Sequence, residues 1–187
     1  MIRWTLLLIG GLLLGGLVHL STIIALPRAA TQDAYSRLSE IAPVNKAVHL
    51  PEPTPQKTLM PYMDPAFAEA VCRYDLNRGP LKISVPISLA YTSVSFYTDH
   101  DIAYYAINDR AAGRHTIALE LMTAEQHNDM PQDENITAAD RLIVEAPSPS
   151  GLIVFRALAP EPGMMATAQA VVGNAKCEPA AVPAASQ

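Results

Sequence analysis

From Trp4 to Leu26 the chain runs 23 residues without an Asp, Glu, Lys or Arg. As a helix this stretch is about 34 Å long, enough to cross a hydrocarbon core of about 30 Å with some tilt. Nine Leu, three Ile and one Val make its insertion favourable. Arg3 and Trp4 at one end and Pro27-Arg28 at the other stand where interfacial anchors belong. Arg3 followed by Leu6–Leu17 also fits the charged and apolar regions of a signal peptide. Cleavage needs small residues at −3 and −1, however, and Ile24-Ala25-Leu26-Pro27-Arg28-Ala29-Ala30 offers no clean A-x-A. An uncleaved anchor is therefore favoured, with lipid contacting residues 4–26.

Within the stretch, Gly11-Leu-Leu-Leu-Gly15 is a G-x-x-x-G, a spacing that lets two helix backbones approach closely. Glycine is also common in spans that pack against nothing in particular. His19 lies four residues beyond Gly15 on the same face. With no second titratable group in the span, it reads better as a hydrogen-bonding group at a helix contact than as a proton relay. Sidedness is ambiguous by charge alone: Arg3 and the terminal amine stand on one side, Arg28 and Arg37 on the other. The signal-like start and the cysteine pair favour a cytoplasmic N-terminus and a domain outside the cytoplasm.

The 161 residues that follow suffice for one domain. They carry 12 basic and 18 acidic residues, a poor balance for gripping a phosphate backbone, so nucleic acid is excluded as a partner. Half of the whole chain is hydrophobic and 17% is charged, which argues for a packed fold.

Thr31 is a suitable N-cap for a short juxtamembrane helix through Tyr35, Leu38, Ile41 and Ala42. Six prolines between Pro43 and Pro65 mark an extended arm, whose Leu50, Leu59, Met60, Tyr62 and Met63 suit contact with the domain. Asp64-Pro65 resembles a helix start and predicts a short helix to Cys72. The period then becomes two. Leu81, Ile83 and Val85 alternate with Lys82 and Ser84. Thr92, Val94 and Phe96 oppose Tyr91, Ser93, Ser95 and Tyr97. Ile117, Leu119 and Leu121 alternate with Ala118 and Glu120. With Ile102–Ile107, Arg141–Ala146 and Leu152–Leu158 these predict about six strands, mainly antiparallel. Thr123 and Gln126 stand at capping-box spacing for a helix in the link to Asp140. A last helix covers Pro162–Lys176. The expected class is α+β: a transmembrane helix (1–26), a juxtamembrane helix and arm (27–64), a β-rich domain (65–177) and a disordered tail (178–187).

Cys72 and Cys177, the only cysteines, read as the termini of two helices. An even count in an exported domain points to a disulfide between them; two free thiols would suit a cytoplasmic domain.

Cys72-Arg-Tyr-Asp-Leu-Asn-Arg-Gly-Pro-Leu-Lys-Ile-Ser-Val-Pro86, with Tyr91–Tyr97 and Tyr105-Ala-Ile-Asn-Asp-Arg110, resembles the bacterial family called domain of unknown function 1254 in its short, membrane-anchored form. The likeness spans roughly Leu26 to Cys177. Longer members carry a second domain, of unknown function 1214, so the resemblance implies a separately encoded companion membrane protein of that type. It brings no activity or catalytic residues with it.

The motifs H-E-x-x-H, G-x-x-x-x-G-K-[ST] and G-x-S-x-G are missing from the sequence. Asp99-His100-Asp101 offers metal-ligand chemistry, but consecutive residues on a hairpin alternate sides, and a polar turn explains them. His127, Asp129, Asp133 and Glu134 form an acidic patch with the character of a solvated face. Asn135-Ile-Thr137 matches a glycosylation sequon. No catalytic residue, metal or cofactor is assigned. Tyr91 and Tyr97 on one strand face, with Arg110 beyond it, form a possible ligand face, although the same side chains suit the second packed face of a central strand. Three functions follow in order: a membrane-tethered interaction module, a small-molecule-binding domain using the tyrosine face, and an envelope hydrolase using Asp99, His100 or Arg110.

Overall fold

The computed structural model describes residues 1–29, 33–111, 115–130 and 142–180. The chain forms two compact units, Met1–Asp33 and Ala34–Gln187. In the first, helix α1 runs Ile2–Ala29. Its segment Ile2–Leu26 has a mean hydropathy of 2.1 and is long and apolar enough to cross a membrane, and each side chain from Met1 to Leu26 is exposed.

The second unit is α+β. A short helix α2 (Ala34–Leu38) leads to strands β1 (Ala47–His49), β2 (Phe67–Asp75), β3 (Leu81–Pro86), β4 (Thr92–Thr98), β5 (Ala103–Asn108) and β6 (Thr116–Thr123). Helix α3 (Ala124–Asn128), β7 (Ile143–Ala146), β8 (Ser150–Leu158), helix α4 (Met165–Gly173) and β9 (Lys176–Pro179) complete it. Five strands pair antiparallel in the order β1-β2-β8-β4-β5, and four more in the order β7-β6-β3-β9. Among the described strands only β6 and β7 pair in parallel; the link between them is long enough to return the chain to the same end.

The two sheets enclose one core. From the first come Ala70, Tyr74, Val94, Phe96, Ile153 and Phe155; from the second come Leu81, Ile83, Val85, Ile117, Leu119 and Leu121. The alternation read at β3 and β6 is this division between core and outer face. Ala168 and Val172 of α4 close the same cluster.

The outer face of the first sheet is covered in part by the N-terminal arm. Leu38, Ala42 and Leu50 are buried against Val71, Leu152 and Val154, with Leu59, Met60 and Met63 packed alongside. Asn45, at φ 58°, pins the arm: its amide nitrogen donates to the Asp75 carbonyl and its Oδ1 accepts from the Asp75 N–H.

Four expectations are corrected. Residues from Asp64 to Cys72 form no helix; Asp64 Oδ1 accepts from the Ala66 N–H as a local turn, and Phe67–Asp75 is a strand paired with β8 along all nine residues. Strand rather than helix wins because its two faces are buried by different neighbours, the core and the arm. The domain takes β1 from within the arm, and its last strand reaches Pro179, beyond the expected boundaries at 65 and 177. The C-terminal helix stops at Gly173, and Cys177 lies on β9, paired with Ile83. Among the described residues nine strands stand where about six were expected. The helix after Thr123 is present with its reciprocal capping box to Gln126. Thr31, Asp133, Glu134, Asn135, Thr137, Asp140, Arg141 and the tail from 181 lie outside the described residues.

Candidate functional site

Cys72 and Cys177 are bonded, with Cα atoms 6.4 Å apart and a sequence separation of 105. Both are buried. The bond joins β2 of one sheet to β9 of the other, across the core.

Tyr97 lies on the outer face of β4, where it packs against the arm cluster of Leu38, Val71, Leu152 and Val154. Tyr91 precedes the same strand, six residues and about 20 Å away, with its ring edge-to-face to Phe67 at 6.4 Å. Arg110 sits on the turn after β5, where its N–H donates to Asn108 Oδ1 at 3.1 Å, and it is exposed. The three do not converge. Tyr97 serves the packed face, and Tyr91 alone borders an open hollow.

That hollow holds about 220 Å³ and is lined by Tyr91, Ser93, Ser95, Tyr105 and Asn108, with Ala106 among its smaller residues. Strand register builds it. Ser93 stands opposite Asn108, and Ser95 opposite Ala106, so a polar rung is followed by a residue too small to fill the space above the sheet. The rung continues inward: Ser93 pairs with Arg156 on its other side, and Arg156 pairs with Glu69. Glu69 is 5% exposed, and Arg156 Nε donates to its Oε1 at 2.7 Å. Sequence reading missed this row. Its signal is present, however: one acid in Phe67-Ala-Glu-Ala-Val and one base in Val154-Phe-Arg-Ala-Leu, single opposite charges inside apolar strands, need each other when buried.

At the opposite end of β5, Asp99, His100 and Asp101 form the β4–β5 turn. His100 Nδ1 donates to Asp99 Oδ1 at 2.7 Å, Asp99 Oδ2 accepts from Ser150 Oγ at 3.0 Å, and Asp101 Oδ2 accepts from the Ala34 N–H at 3.0 Å. Each side chain faces its own partner, and Asp101 takes φ 59°, a turn conformation. Asp99 and His100 are a strand length from Arg110, so these three groups do not share a cleft. His127 Nδ1 donates to Glu145 Oε1 at 2.6 Å on the surface, and Asp129 caps the end of α3. Among the described residues no group of three His, Cys, Asp or Glu is placed to hold a metal ion.

Inside the first sheet, Tyr104 donates its hydroxyl to the Tyr74 hydroxyl oxygen at 3.1 Å. Burial pushes both phenols above their ordinary value of 10.0; the bond to Tyr104 and one to Ser148 offset part of this at Tyr74, and nearby Asp99 adds to it. The consequence has a sign. Above about pH 10 the unfolded chain releases these protons while the native chain keeps them, so stability is full below that pH and is lost as pH rises. Phenolate absorbance should show Tyr74 and Tyr104 titrating only with unfolding, and their titration in a folded chain would contradict this.

A family model described as "Protein of unknown function (DUF1254)" matches residues 44–179. Among solved structures the chain is similar to the VPA0106 protein from Vibrio parahaemolyticus, with a TM-score of 0.55 at 14% identity, covering 76% of this chain and 33% of that one. It is also similar to an uncharacterized protein from Burkholderia cenocepacia, with a TM-score of 0.45 at 11% identity over 64% of this chain and 33% of that one. The chain thus spans about a third of the length of these two proteins, and the first likeness shows the fold alone. No curated protein matches the chain.

Proposed function

The chain belongs to the DUF1254 family, and on that premise we propose that it is a single-pass, membrane-anchored envelope protein acting as an interaction module. In this reading α1 stays attached and spans a bacterial inner membrane, with the two-sheet domain on the periplasmic side. The partner is a companion membrane protein carrying a domain of unknown function 1214.

The observation that carries the reading is α1 itself: an apolar helix of spanning length whose side chains from Met1 to Leu26 are all exposed. Gly11 and Gly15, four residues apart, leave part of one face of it without side chains. Two helices can approach closely there, and His19 on that face supplies a hydrogen-bonding group worth about 0.6–2 kcal/mol at such contacts. The Cys72–Cys177 bond supports the periplasmic side, because disulfides persist in oxidising compartments.

Full-length chain, co-expressed with the companion and captured from solubilised membranes, should retain it. Gly11→Leu with Gly15→Leu should weaken that capture about tenfold, roughly 1.4 kcal/mol. A chain that returns alone, or capture unaffected by the two leucines, would contradict the proposal.

A further inference from the structure

We propose that the hollow between β4 and β5 binds a neutral polyhydroxylated ligand, a single sugar ring, through Tyr91, Ser93, Ser95 and Asn108. This stands independently of the membrane reading. It rests on the concavity, on its chemistry and on what borders it.

The hollow holds about 220 Å³, below the range of roughly 300–1,000 Å³ typical for drug-sized ligands. That limits the occupant to something the size of one ring. Among the described residues its lining contains hydroxyls, an amide, and aromatic and aliphatic carbon, and no charged side chain. An ion placed there would lose water without gaining a counter-charge. The nearest charges in the same rung do not change this, because Arg156 on β8 turns its Nε to Glu69 on β2, away from β4.

Among the described residues, the Tyr91, Ser93 and Ser95 hydroxyls and Asn108 Nδ2 meet no hydrogen-bond partner; Asn108 uses only its Oδ1, towards Arg110. Hydroxyls both donate and accept, and an amide nitrogen donates, so the set matches a ligand whose own groups do both. Tyr91 adds a ring whose plane is set by Phe67 and not by its own hydroxyl, an apolar platform for the C–H face of a sugar. Ala106, opposite Ser95 and exposed, keeps the space open.

The test uses the full chain in a phosphocholine micelle, since a sugar-headed detergent would compete. Backbone amide shifts are followed with N-acetylglucosamine, glucose and galactose as probes and glucuronate as the charged control. We expect at least one neutral sugar to give saturable shifts at Ser93, Ser95 and Asn108, with affinity near the millimolar range, about −4 kcal/mol. Ala106→Leu, which fills the hollow and leaves every polar group in place, should weaken that sugar about tenfold. Tyr91→Ala should do the same, and the amide spectrum elsewhere should be unchanged in both variants. Glucuronate should bind more weakly than its neutral counterpart. No saturable shift at these amides with any neutral sugar, equal binding of glucuronate, or unaltered binding by Ala106→Leu would each overturn the proposal.

Discussion

Gly151→Ala should prevent the domain from folding stably. Gly151 lies at the start of β8, opposite Tyr74 on β2 and Thr98 on β4. A Cβ built there overlaps the carbonyl oxygen of Tyr97 and the hydroxyl and ring of Tyr74. Overpacking typically costs about 1–3 kcal/mol when neighbouring side chains can shift. Here one of the obstructing atoms belongs to the backbone of a central strand, and the other is a fully buried tyrosine held by Tyr104. The expected loss is therefore above about 3 kcal/mol, a large part of a typical stability of roughly 5–15 kcal/mol. Trimming Tyr74 as well should not restore the fold, because the Tyr97 carbonyl remains. Gly163→Ala is the control: a methyl group there meets nothing, and its cost should stay within about 0.5 kcal/mol. Urea midpoints of the three variants check this, and a Gly151→Ala chain as stable as the parent would contradict the packing described.

The second large effect concerns the disulfide. Closing a loop of about 100 residues is worth roughly 4.7 kcal/mol on the chain-entropy account, an upper figure for many proteins; the loop here spans 105 residues. The bond also has a local role. Strand β9 is four residues long at the edge of the second sheet and, among the described residues, pairs only with β3. Cys177 is its one buried residue, and the link to Cys72 carries it across to β2. Reduction, or Cys72→Ala with Cys177→Ala, should lower Tm by on the order of 10–15 °C. Loss of β9 pairing should follow, read as faster amide exchange at Lys82 and Ser84, whose N–H groups face β9, than at Ile83 and Val85, whose N–H groups face β6. A Tm unchanged by reduction would show that the bond contributes nothing.

How far the fold can be read without coordinates depends on how each strand is buried. β3 and β6 alternate cleanly because one face meets the core and the other is more open. β2 does not alternate, because Glu69, Val71 and the arm bury its second face. Its alanines then resemble a helix, and only the pairing with β8, about eighty residues further on, decides for strand. β1 and β9 are too short to carry a period, and the parallel placement of β7 follows from a crossover that no local pattern encodes. The site shows the same division. That Tyr91 and Tyr97 oppose Val94 and Phe96 follows from the period of two. That the arm covers Tyr97 while Tyr91 borders a hollow depends on residues 34–63 and on the small size of Ala106, both tertiary facts.

The account rests first on α1 remaining part of the finished protein. Membranes from cells expressing the untagged chain can be washed with alkaline carbonate and the retained polypeptide sequenced from its N-terminus. The account predicts an intact chain beginning at Met1 that stays in the pellet and is released only by detergent. A soluble chain whose first residue lies beyond Arg28 would contradict it.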